Sequence, residues 1–177
     1  WKRTDLLLDG VKVDIAIRGP WASDPGAVAG IRGLLRAIAD SQTKVFGRYA
    51  SESLLLVVLP AEQTTLVASP RSLVLRCPQT EAPEKDTLLA LQVAEAHFHL
   101  WNGTRFRPRQ SDTAPFRPGH AAWFSEGAGA WYALRTAYEV GLISDEQLLA
   151  TLNEWMAAYA AHPDALRATT ADFEARY

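Results

Sequence analysis

Two side chains one helical turn apart are the first in this sequence whose types and spacing could carry chemistry. Glu95 and His99 are four residues apart in a stretch with helical periodicity. Positions i and i+4 lie on one face of a helix, and this is the spacing of two metal ligands in the His-Glu-x-x-His motif. Because the first residue is Glu95 and not histidine, Glu95 and His99 could also be an ordinary i, i+4 pair of polar residues on a helix surface. On this helix alone, that interpretation is favoured over metal ligation.

The residues around this pair predict a helix that is buried on most sides. Three stripes run along it at helical spacing, and two of them are apolar. His97 falls outside the polar stripe, and we predict it to be a polar residue at the helix edge. The polar stripe must open either on solvent or on a cleft, and it consists of Leu88, Gln92, Glu95, His99 and Asn102.

The first half of the chain predicts a sheet with one helix. Asp9-Gly10 is a hairpin dipeptide between two segments that alternate with period two. Asp24-Pro25 is an N-cap followed by an N1 proline, and it begins a helix that we expect to end near Asp40. Three extended segments follow, at residues 51–59, 64–69 and 73–77.

The second half of the chain predicts helices. Asp86 is the N-cap of the helix that carries Glu95 and His99, which we expect to end at Trp101 before a long connection over 103–119. Further helices are predicted over 121–140, 144–160 and 168–176. Four tryptophans are predicted to lie in the core: Trp101, Trp123, Trp131 and Trp155. The prediction is therefore one α+β domain over residues 1–177, sheet-rich over 1–80 and helical over 81–177.

Composition excludes several classes of function. The 177 residues are 48% hydrophobic and 21% charged, as in an average soluble globular chain, and the formal net charge is −2. That charge argues against a nucleic-acid partner or a polybasic membrane role. Cys77 is the single cysteine, so an intrachain disulfide and a cysteine-based zinc cluster are both excluded.

The chain shows no targeting or membrane segment. Its longest apolar run, residues 54–60, is far shorter than the roughly 20 residues that span a bilayer. It begins at Trp1 with no signal peptide, and we expect it to be part of a longer protein. The sequence leaves the compartment undetermined.

Three motifs resemble the glycyl aminopeptidase family of gluzincin metallopeptidases. They are His-Leu-Trp-Asn at 99–102, Arg-Phe-Arg-Pro at 105–108 and Trp-Phe-Ser-Glu-Gly at 123–127. In that family a zinc helix runs His-Glu-Phe-Phe-His-Leu-Trp-Asn, and a second helix begins at Trp-x-x-Glu-Gly, whose glutamate is the third zinc ligand. The resemblance implies a zincin-like (thermolysin-like) fold, a small mixed sheet followed by a helical part, and it suggests a bacterial origin.

The resemblance assigns roles to individual residues, and two of them depart from the pattern. The second zinc histidine falls on His99 and the third-ligand glutamate on Glu126, and both are kept. The first zinc histidine falls on Glu95, and the catalytic glutamate falls on Ala96. A methyl group cannot take a proton from a water molecule or pass it to a leaving amine, and loss of general acid–base catalysis costs roughly 10²–10⁴ in rate.

A third departure lies upstream. The family's edge strand carries a carboxylate that faces the free N-terminus of the substrate, whereas the corresponding stretch here, Thr64–Ala68, contains no acid. No residue of this chain matches the tyrosine that assists the family's transition state. These departures predict a peptidase-family domain without peptidase chemistry, which acts by binding a peptide or protein partner or is a structural remnant within a larger protein. A further possibility is that Phe98, Trp101 and their neighbours close the cleft, which then has no ligand.

Zinc remains a cofactor that the altered site could accept. Glu95, His99 and Glu126 would form a set of one nitrogen and two carboxylate ligands, which is chemically compatible with zinc and less selective for it than a two-histidine set. The alternative function is an active zinc-dependent aminopeptidase or related hydrolase that uses these three ligands. The impaired domain should contain substoichiometric zinc and show no chelator-sensitive turnover.

Overall fold

Strands precede helices in the computed structural model, which describes residues 1–48, 52–69, 71–78, 86–105 and 122–162. Two antiparallel strands and a long helix are followed by three more strands and then by three helices. Their bounds are β1 Lys2–Leu8, β2 Val11–Ile17, α1 Pro25–Phe46, β3 Ser53–Pro60, β4 Thr65–Ser69, β5 Ser72–Cys77, α2 Thr87–Arg105, α3 Ala122–Glu139 and α4 Asp145–Ala161.

The five strands form one mixed sheet in the order β1-β2-β3-β5-β4. The β1–β2 pair is antiparallel, and its turn residues Asp9 and Gly10 have φ angles of 47° and 81°. These positive values are those that a two-residue hairpin turn requires, and Asp-Gly supplies them at low cost. Strands β2, β3 and β5 run parallel, and β4 pairs antiparallel with β5 at the edge of the sheet. Helix α2 contacts both β4 and β5.

One face of the sheet is buried beneath α1 and α2. The alternating residues of β2 show this most clearly, because Val13, Ile15 and Ile17 are fully buried whereas Lys12 is exposed. Burying one such side chain contributes roughly 1.5–3 kcal/mol. Leu89 and Trp101 of α2 belong to the same cluster as the sheet residues, so the sheet fixes the position and rotation of that helix.

A buried hydrogen-bond network joins α1, α2 and α3. Gln42 of α1 donates through Nε2 to the Ala94 carbonyl of α2 at 2.8 Å and to Thr136 Oγ1 of α3 at 3.3 Å. Its Oε1 lies 2.8 Å from His97 Nδ1. Because Oε1 can only accept, Nδ1 carries the proton of the neutral imidazole. A second link joins α1 to α3, where Ser41 Oγ donates to Glu139 Oε2 at 2.7 Å.

His97 is therefore a core residue, and the prediction that it lies at the helix edge is wrong. Its side chain has no exposed surface. Burial lowers the pKa of His97 to about 3, because the charged imidazolium would lose its hydration. The apolar surroundings and the amide of Gln42 together accommodate a neutral histidine where the family pattern has phenylalanine.

The predicted elements are confirmed with shifts at their ends. Asp24 caps α1 by accepting from the Gly26 backbone N–H at 2.8 Å, and Asp86 accepts from the Leu89 N–H at 3.1 Å. Helix α1 continues past Asp40 to Phe46, and α2 continues past Trp101 to Arg105, so the predicted connection begins later than expected. The rest of that connection, the first residue of the next helix and the helix predicted over 168–176 lie outside the described residues.

The prediction for the tryptophans holds in part. Trp101 is fully buried, as predicted, and its indole N–H donates to the Arg48 carbonyl. Trp131 and Trp155 are 45% and 41% exposed, so placing them in the core was wrong. The side chain of Trp123 lies outside the described part of the chain.

The buried His97 predicts that stability falls in mild acid. The unfolded chain takes up a proton near the ordinary histidine pKa of about 6.5, whereas the folded chain does not until about pH 3. The contribution of neutral His97 to the free energy of unfolding is thus fully present above pH 6.5. It falls by about 2 kcal/mol between pH 7 and pH 5. Urea unfolding at both values measures it.

The matched variants for this experiment are His97→Gln and His162→Asn. Glutamine retains an N–H for Gln42 and does not titrate, so its unfolding free energy should change little between the two pH values. His162 is exposed, and its replacement should leave the pH dependence as in the wild type. Equal pH dependence in wild type and His97→Gln would contradict the prediction.

Candidate functional site

Helix α2 presents one open face. Phe98, Leu100 and Trp101 are buried on its other sides, whereas Glu95 and His99 are half-buried. These two side chains lie one turn apart on the stripe that the spacing predicts. The sheet and α1 occupy other sides of the helix, and Glu95 and His99 lie on the side that meets α3.

Helix α3 brings Glu126 to this face. Ligand atoms from Glu95, His99 and Glu126 all lie within 4.8 Å of one another. Glu126 is 27 residues or more from the other two in sequence, and only the packing of α3 on α2 brings it near them. The structure therefore brings together the three side chains that the resemblance assigned as ligands.

The two helices pack closely at Gly129. A Cβ atom added there would lie 3.3 Å from His99 Nε2 and 3.4 Å from both Cγ and Oε1 of Glu95. The sequence carries no signal for this contact. A Gly-Ala-Gly segment in a helix shows that the residues are small, but it does not show which side chains lie opposite them. Whether a glycine is needed at residue 129 depends on how closely α2 packs against it.

The site is electrostatically negative. Burial raises the pKa of Glu95, the charge of Glu126 raises it further, and His99 acts in the opposite direction. Removing a carboxylate from water disfavours its charged form, and a second carboxylate nearby adds to that effect. A cation placed among these groups would relieve the repulsion, whether that cation is a metal ion, an amine or a proton.

The donor set fits a divalent ion. Zinc accepts imidazole nitrogen and carboxylate oxygen at about 2.0–2.2 Å, which places tetrahedral donors about 3.4 Å apart. Donor atoms within 4.8 Å of one another reach that spacing by small side-chain rotations. The absence of a side chain at Gly129 leaves room beside two of the three donors.

Ala96 lies next to the site but contributes no chemistry to it. Its side chain is only 5% exposed and belongs to the apolar cluster that includes the sheet residues. In the part of the chain that the structure describes, the group of acidic and histidine side chains around the site consists of Glu95, His99 and Glu126. The residue that the resemblance places at the family's general-base position, Ala96, is thus a buried alanine.

Gln92 adds an unsatisfied acceptor to the same helix face. Its Oε1 is buried and, among the described residues, has no hydrogen-bond partner. Gln92 precedes Glu95 and His99 by three and seven residues, which places it on their stripe one turn toward the start of α2. Buried acceptors without partners are uncommon, and this one requires a donor from outside the described residues.

The edge strand beside α2 carries no acid. Residues 64–68 were expected to correspond to the family's groove strand, and β4 covers Thr65–Ser69 at the sheet edge. Most of its side chains are exposed, and in the described residues it pairs only with β5. Among the described strands, none pairs with its outer edge.

Comparisons with known proteins agree with this geometry. The family model for M61 glycyl aminopeptidase matches residues 89–175, which include α2, α3 and α4. No curated protein matches the chain. In the described residues no helix combines the length and the apolar character that crossing a membrane requires.

Two solved structures share the fold. One is an aminopeptidase N family protein from Idiomarina loihiensis, with a TM-score of 0.57 and 16% identity over 84% of this chain. The other is a glutamate-to-alanine mutant of the M1 zinc metallopeptidase from Deinococcus radiodurans, with a TM-score of 0.51 and 20% identity over 92% of this chain.

This chain covers 27% and 33% of those two structures, so it spans a third or less of their length. The match to the M61 family falls on the helices that carry Glu95, His99 and Glu126, and the shared fold extends over the sheet. Over residues 89–175 the chain is therefore similar to the M61 glycyl aminopeptidase family, and its α+β fold is the one that these two solved structures share.

Proposed function

We propose that this domain has lost peptidase turnover and binds an extended peptide or protein segment in the cleft beside Glu95, His99 and Glu126. The observation that carries the proposal is Ala96. It stands where the family pattern has the general base, and its methyl group is buried in the apolar cluster. No proton can be accepted there, so the step that would activate water lacks its base.

The three converging side chains hold a divalent cation weakly. Glu95 and Glu126 would each supply a carboxylate oxygen and His99 would supply Nε2 or Nδ1. A bound ion would act as a Lewis acid toward a carbonyl oxygen. Two carboxylates make the set harder than a two-histidine site, which reduces its preference for zinc over other divalent ions.

The cleft retains features suited to a peptide. Strand β4 leaves its outer backbone edge unpaired among the described strands, and an extended segment could add to it by main-chain hydrogen bonds. Among the described residues the buried Oε1 of Gln92 has no donor, and a backbone N–H of the ligand could provide one. Both features favour an extended ligand, whatever its side chains.

The alternative is an active metallohydrolase that uses the same three ligands. It is favoured by the convergence of three donor atoms within 4.8 Å. It would need a base that lies outside the described residues, because the described cluster contains only the ligands themselves. Activity measurements separate the two functions.

The first prediction concerns metal content and turnover. Purified protein should contain substoichiometric zinc by mass spectrometry and should not hydrolyse glycyl or alanyl p-nitroanilide in a chelator-sensitive way. We expect this result because Ala96 cannot act as a general base and because Glu95 takes the place of the first zinc histidine in the family pattern. Robust turnover that disappears in Glu126→Ala would refute the proposal in favour of the active hydrolase.

The second prediction concerns restoration of the family pattern. Ala96→Glu alone should give no turnover, because the first zinc ligand is still a carboxylate and the metal geometry is unchanged. Glu95→His combined with Ala96→Glu should raise zinc occupancy toward one ion per chain, since a second imidazole improves the donor set. Glu95→His alone is the control for occupancy, and turnover in Ala96→Glu alone would contradict the reasoning.

The third prediction concerns the unsatisfied acceptor. Gln92→Met keeps the side-chain length and removes the buried oxygen, so the free energy of unfolding should rise by about 1 kcal/mol. The same variant should weaken binding of a fluorescent alanine-glycine peptide, measured by polarisation. Leu88→Met, at an exposed position on the same stripe, is the control and should change neither quantity. Unchanged peptide affinity in Gln92→Met would exclude the acceptor from the binding site.

A further inference from the structure

Helix α3 places a charged residue and a glycine toward the site. Glu126 supplies a carboxylate, and Gly129, three residues later, lies on the same side of the helix. Gly129 is buried, whereas its neighbour Gly127 is exposed. The two glycines belong to the same helix and differ in what surrounds them.

The surroundings of Gly129 are the donor groups themselves. The three nearest atoms to an added Cβ would be His99 Nε2 at 3.3 Å, Glu95 Cγ at 3.4 Å and Glu95 Oε1 at 3.4 Å. No backbone atom or apolar core side chain is among these three. An added Cβ at Gly127 would have nothing within 4 Å.

Conformation does not account for Gly129. Glycines with positive φ in the described residues are Gly10, Gly19, Gly47 and Gly141, so Gly129 has an ordinary helical backbone that alanine could adopt. Glycine inside a helix is less stable than alanine by roughly 0.8–1.0 kcal/mol. The helix thus forgoes this stability at a place where the three nearest atoms to an added Cβ belong to two candidate ligands.

We infer that Gly129 is a positioning residue, which keeps open the volume directly beside His99 Nε2 and Glu95 Oε1. An ion bound to both atoms would lie about 2.0–2.2 Å from each, and that ion and its water need the space that a methyl group at residue 129 would fill. This inference rests on the cation site proposed above. It adds that the site requires the absence of a side chain at residue 129 as well as the three side chains that would bind the ion.

The test compares Gly129→Ala with the matched variant Gly127→Ala. Zn²⁺ affinity is measured by titration calorimetry, Co²⁺ binding by its visible absorption, and stability by thermal unfolding. Gly127→Ala should bind both ions as the wild type does. Gly129→Ala should bind them at least fivefold more weakly and with an altered Co²⁺ spectrum, because the donor atoms must move away from the new methyl group.

Stability separates this role from ordinary packing. Both variants remove a helical glycine, so both should melt at or above the wild-type temperature. A melting temperature of Gly129→Ala well below that of the wild type would indicate a clash with the helix packing and would overturn the inference. Equal ion affinity in wild type and Gly129→Ala would overturn it as well and leave the cation site intact. Absence of ion binding in the wild type would refute the cation site, and with it any role for Gly129 there.

Discussion

The packing of α2 between the sheet, α1 and α3 is the constraint on which the site depends. Leu89 and Trp101 anchor α2 in the sheet core, and Gln42 fixes its rotation through the Ala94 carbonyl and His97. The same amide contacts Thr136, so α3 is held in register with α2 by a shared buried partner. An unpaired polar group at this depth would cost roughly 1–3 kcal/mol, which makes other rotations of either helix unfavourable. Once both helices are fixed, Glu126 must approach Glu95 and His99.

This arrangement separates the ability to bind from the ability to react. Convergence of Glu95, His99 and Glu126 depends on helix packing, and packing has been retained. Proton transfer depends on a single side chain, and a methyl group at Ala96 fits the same apolar environment without disturbing the fold. An alanine at residue 96 therefore carries little structural cost in this fold.

Sequence patterns predicted the elements, and the family resemblance selected three side chains that converge in the fold, but neither predicted the surroundings of particular side chains. Asp9-Gly10 and Asp86 were informative because turn and cap chemistry is local. His97 was misjudged because its burial depends on Gln42, which lies 55 residues away along the chain. Trp131 was misjudged because the size of an aromatic residue does not specify which helix face meets a neighbour. Gly129 was invisible for the same reason, since its contacts belong to another helix.

The two departures from the family pattern on α2 are related through charge. The pattern has a neutral histidine followed by a glutamate, whereas this chain has Glu95 followed by Ala96. Each pair carries one negative charge when its carboxylate is ionised, so the substitutions move the charge from the base position to a ligand position and leave the total unchanged. A glutamate at both positions would place a third carboxylate beside Glu95 and Glu126, where burial already raises the pKa of Glu95. Alanine at residue 96 therefore makes a carboxylate at Glu95 easier to tolerate than a glutamate at residue 96 would.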